Sequence, residues 1–85
     1  MSQWDKLAER VQSIDNKLLF DEIVKVLKKI GYTQNQPKGG SSHYTFRKQG
    51  FPPITIPKSE PIKKAYVELV RDALTIYLAE VNTDD

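Results

Sequence analysis

The sequence predicts an α+β domain: a three-stranded antiparallel sheet with helices on one face, in the order α-β-β-β-α, preceded by one additional N-terminal helix. Three observations lead there. Apolar residues recur at helical spacing on both sides of a central stretch. Inside that stretch the period drops to two, and the links between the period-two segments are short enough to favour antiparallel pairing. Eighty-five residues, 39% of them hydrophobic, suffice for one small core and no second domain.

The elements follow in order. Ser2 and Asp5 have the spacing of a capping box, and Trp4, Leu7, Ala8, Val11 and Ile14 recur at helical intervals, so a first helix should end near Ser13. This additional helix occupies residues 1–15. After a polar interruption the core begins at residue 18. Phe20, Ile23, Val24, Leu27 and Ile30 mark a second helix, stopped by Gly31 and carrying Lys28 and Lys29 where its dipole favours cations. Residues 32–36 form a weak first strand closed by Pro37, residues 42–48 a central strand, and residues 54–56 a third strand ended by Pro57. Ser59-Glu60-Pro61 looks like a helix start, with Ser59 as the cap. Ile62, Tyr66, Leu69, Val70, Ala73 and Tyr77 then line one stripe of the last helix, and Val67, Leu74, Leu78 and Val81 a second. Two stripes need more than one neighbour, so Trp4, Leu7 and Val11 should pack on its C-terminal turns. The core runs to residue 81, and residues 82–85 are an acidic tail expected to fray.

Composition narrows the function. The chain has no cysteine and a single histidine, which excludes a disulfide framework and the common zinc ligand sets; no metal and no cofactor are expected. The N-terminus lacks the apolar centre of a signal peptide, and no apolar run approaches the ~20 residues that span a bilayer, so a cytoplasmic protein without a membrane partner is expected. The net charge of +2 is unevenly spread: residues 38–71 carry seven Lys/Arg against two Asp/Glu, or +5, while residues 72–85 carry four Asp/Glu and no Lys/Arg. A basic central block suits a phosphate-bearing partner, of which nucleic acid is the commonest.

Candidate chemistry concentrates in residues 38–48. Gly39 and Gly40 let backbone N–H groups approach an anion, Ser41 and Ser42 add hydroxyls, and Lys38, Arg47 and Lys48 supply positive charge on both flanks. Strand alternation puts Ser42, Tyr44 and Phe46 on one face and His43, Thr45 and Arg47 on the other. With the aromatic face inward, His43 and Arg47 face solvent together as a proton acceptor and a phosphate-binding cation.

Several pieces of the chain resemble the HicA (YcfA-like) toxin family: a helix over residues 20–32 ending in a Gly-aromatic pair, Gly40-Ser41-Ser42-His43 followed by Phe46, Ile54-Thr55-Ile56-Pro57, and the closing helix from Ile62. The resemblance implies a fold like a double-stranded-RNA-binding domain, metal-independent cleavage of messenger RNA, and neutralisation by a HicB-type antitoxin. His43 falls on the family's catalytic histidine. The chain departs from the pattern at Ser42, where many members have a second histidine, in Pro57-Lys58-Ser59, which lacks a histidine often found after the proline, and in the additional first helix.

A metal-free ribonuclease needs a base for the 2′-hydroxyl, donors for charge developing on the phosphate and an acid for the departing 5′-oxygen. On this reading His43 is the base, Lys38 or Arg47 stabilises the phosphate charge, and Gly39, Gly40 and Ser41 position it. The acid has no candidate. The competing reading is a non-catalytic RNA- or protein-binding module on the same scaffold.

Overall fold

The structure, a computed structural model, describes residues 3–35 and 43–81. Its elements are α1 (Gln3–Gln12), α2 (Phe20–Lys29), β1 (Thr33–Asn35), β2 (His43–Arg47), β3 (Ile54–Pro57) and α3 (Lys64–Val81). The expectations for Ser2, for the loop residues Lys38, Gly39, Gly40, Ser41 and Ser42, and for the tail lie outside the described residues.

The strands form one antiparallel sheet with β2 in the centre, Thr45 opposite both Asn35 and Thr55. Alternation runs as expected: Phe46, Ile54 and Ile56 are buried, while His43, Arg47 and Thr55 on the other face are exposed. The buried face meets Ile23, Val26 and Leu27 of α2 and Val67, Val70 and Leu74 of α3 in a single core. Tyr44 adds its ring, which lies 5.0 Å from that of Phe20 between centroids, in a tilted pair.

Gly31 ends α2 as its position in the sequence predicts. At φ +108° it adopts a conformation that side chains disfavour. Its N–H donates to the Lys28 carbonyl and the N–H of Tyr32 donates to that of Leu27, so two otherwise orphaned carbonyls are satisfied. The turn aims Tyr32 into the core, where it is buried, and the strand starts one residue later than expected.

The last helix begins later than the Ser59-Glu60-Pro61 pattern suggested. The N–H groups of Tyr66 and Val67 both bond the Lys63 carbonyl, so the first turn closes on Lys63 and Ser59 caps nothing. The reason is tertiary. The Ile62 N–H donates to the Leu18 carbonyl at 2.8 Å and the Ile62 side chain is buried, which fixes this segment against the α1–α2 connection before the helix begins. On α3, Leu69 and Val81, assigned by periodicity to the apolar stripes, remain 47% exposed.

Helix α1 packs against both α2 and α3. Val11 is its fully buried anchor, whereas Trp4 and Leu7 are half-buried. Trp4 packs against the core and also meets α2, where the Lys29 ammonium sits 5.8 Å above its ring. The connection is held by Arg10, whose guanidinium donates from Nε to Asp15 at 2.8 Å and from a terminal nitrogen to Glu22 on α2. Ile14, between them, takes φ +55°, an unusual value for a β-branched residue.

The Arg10 hydrogen bond, and after it the Lys17 N–H, hold the Asp15 carboxyl below the usual carboxylate range. A depressed folded-state pKa stabilises the fold above the unfolded value, near 3.9, and that contribution is lost as pH falls through the folded value. Urea midpoints measured downward from pH 5 should therefore fall less steeply for Asp15→Asn than for the parent chain. Parallel curves would remove Asp15 from the acid response.

Candidate functional site

The outer face of the sheet is polar by construction. Every second residue of β2 points away from the helices, which brings His43, Thr45 and Arg47 into one row. The register places Pro57 beside His43, Asn35 and Thr55 on either side of Thr45, and Thr33 beside Arg47. Thr45 and Thr55 share a hydroxyl hydrogen bond of 3.2 Å, and the Thr33 hydroxyl donates to the Arg47 carbonyl at 3.3 Å. Alternation already placed Thr45 on this face, but nothing in the sequence brings Thr33 and Thr55 beside its row. Only the pairing register, in which Thr33 and Thr55 flank the central row, reveals them.

His43 and Arg47 thus share a solvent-facing row, as expected, but they are not adjacent within it. Four residues at about 3.3 Å each separate their Cα atoms by roughly 13 Å, with Thr45 between. The two side chains are therefore suited to different points along an extended phosphate backbone rather than to one compact pocket. Among the described residues no group of three or more His, Asp or Glu is placed to hold a metal ion, and no helix is long and apolar enough to cross a membrane.

Lys48 parts from this row. Its ammonium lies over the rings of Phe51 at 4.6 Å, Tyr77 at 5.7 Å and Tyr32 at 5.9 Å, on the helix side of the sheet. Parity already separates it from Arg47 and puts it with Tyr44 and Phe46. Three quadrupoles around one cation make Lys48 a clasp between the end of β2 and α3. It fits against Gly31, where an added Cβ would come within 3.2 Å of the lysine Cε. Burial raises the Tyr32 phenol above its ordinary pKa, so the ring under the ammonium stays neutral.

The two cations should therefore separate experimentally. If the row meets RNA, Arg47→Ala should flatten the salt dependence of binding by about one phosphate contact and leave the melting temperature unchanged. Lys48→Ala should leave the salt slope alone and cost on the order of 1 kcal/mol of stability. If Lys48→Ala flattens the slope as much as Arg47→Ala does, its ammonium leaves the rings for phosphate.

Comparison with protein-family models, with curated proteins and with solved structures finds no match to this chain.

Proposed function

We propose that this protein is a HicA-like toxin: a cytoplasmic, metal-independent endoribonuclease that cuts messenger RNA and is neutralised by a HicB-type antitoxin. Its sheet and helices would then correspond to the double-stranded-RNA-binding-domain-like fold of that family. The observation that carries the reading is the outward row of His43, Thr45 and Arg47, exposed at both ends, which follows Gly39-Gly40-Ser41-Ser42 in the sequence. In this mechanism the His43 imidazole takes the proton of a 2′-hydroxyl and the freed oxygen attacks the adjacent phosphorus. The bond to the 5′-oxygen breaks and that oxygen takes a proton from water, leaving a 2′,3′-cyclic phosphate and a 5′-hydroxyl. Arg47, about 13 Å along the strand, holds a flanking phosphate, which leaves Lys38 and the Gly39–Ser41 backbone to meet the charge at the reacting one.

The test is the chemistry of the ends. Purified protein incubated with RNA in EDTA should give fragments with a 5′-hydroxyl and a cyclic or 3′-phosphate. Cleavage that EDTA abolishes would overturn the mechanism. RNA binding without cleavage would favour the second reading, a binding module, for which the lone histidine and its distance from Arg47 speak.

A further inference from the structure

Away from the sheet, a groove of about 500 Å³ runs between α1 and α2. Its apolar lining is Trp4 and Leu7, one turn apart on α1, and its rim carries Lys6 from α1 with Lys25 and Lys29 from α2. Arg10 and Glu22 also line it, but they are committed to each other. Lys6 and Lys25 are exposed and have no carboxylate partner among the described residues. The hollow thus combines half-buried apolar side chains with an excess of three positive charges, inside the ~300–1,000 Å³ range of ligand clefts.

We infer that this groove is a docking site for an acidic amphipathic helix of a partner protein, which sets apolar side chains on Trp4 and Leu7 and Asp or Glu side chains against Lys6 and Lys25. Charge complementarity selects the acidic flanks, and the paired apolar anchors select helical spacing in the ligand. A tryptophan at the centre of a groove with a polar rim has the character of an interface hot spot. A nucleobase fits less well, because Leu7 beside the ring offers nothing to a base edge. A second copy of the chain is the nearest competitor, since α3 exposes Leu69, Asp72, Ile76 and Glu80 at helical spacing. Such a contact joins two different surfaces and builds open chains unless the rotation happens to close. The inference stands independently of the nuclease reading.

Trp4 is the sole tryptophan, so its emission reports occupancy directly. The full chain is titrated with a synthetic helical peptide of about 15 residues bearing Leu at i, i+3 and i+7 and Glu around them, with the same residues scrambled, and with poly(U) RNA. The designed peptide should shift Trp4 emission with a dissociation constant on the order of 10–100 µM, weakening as salt rises. The Lys6→Glu/Lys25→Glu variant, whose exposed positions leave folding intact by circular dichroism, should bind it at least about tenfold more weakly, a change of about 1.4 kcal/mol. No emission change up to about 1 mM peptide, equal binding of the scrambled peptide, or equal binding by the variant overturns the inference. So does a poly(U) titration that shifts Trp4 and competes with the peptide. Concentration-dependent self-association that the double variant abolishes reassigns the groove to a second copy.

Discussion

A His43→Ala variant is expected to fold and bind RNA like the parent chain and to lose cleavage by about 10² to 10⁴-fold. The separation of these effects follows from where the side chain sits. His43 is exposed on the face opposite Phe46 and Tyr44, so truncation removes no core contact and should change stability by no more than about 0.5 kcal/mol. Arg47 and the Lys38–Ser42 segment remain to hold phosphate, so the salt slope should persist. Acid should inhibit the parent chain, because a protonated imidazole cannot accept the 2′-hydroxyl proton. In cells, expression from a tightly repressed promoter should arrest growth for the parent and not for His43→Ala, with message breaks mapped by primer extension. Equal toxicity would sink the assignment of the base. Absence of toxicity from both, with RNA binding retained, would leave a binding module.

What the sequence disclosed and what it withheld divide along a physical line. Local signals read well. The two-residue period of β2 placed Phe46 inside and His43 outside, and the positive-φ stop at Gly31 was legible because only glycine tolerates it cheaply. Failures came where a distant partner decides. Ser59 and Pro61 have the chemistry of a helix start, but the Ile62–Leu18 hydrogen bond ties the chain to the α1–α2 connection and the helix closes only at Lys63. The seat of the Lys29 ammonium on the Trp4 ring depends on how two helices meet and is invisible in either one alone. In the sequence Lys48 reads with Lys38 and Arg47 as a phosphate-binding cation, because its charge and its neighbour Arg47 suggest phosphate. Three aromatic rings from separate segments were needed to show what holds it.

The largest loss of stability should come from Phe46→Ala. Phe46 has no solvent exposure and stands at the centre of the middle strand, between Gln34 and Ile54, in the core shared with α2 and α3. Replacing a buried phenylalanine by alanine costs about 3–5 kcal/mol in lost transfer energy and cavity, against a total of about 5–15 kcal/mol for an ordinary domain. Urea unfolding should show the variant's midpoint displaced far below that of the parent, or no folded baseline at all. Phe46→Leu keeps the site apolar and closer in volume and should recover much of the difference. The informative control is Thr45→Ala, one position away on the other face, where the cost is the Thr45–Thr55 hydroxyl contact at the surface, about 0.5–1.5 kcal/mol or less. A large gap between neighbours measures the alternation that turns His43 toward solvent. If Thr45→Ala proves as damaging as Phe46→Ala, the outer face is covered in the folded protein, and the exposed His43 row is lost with it.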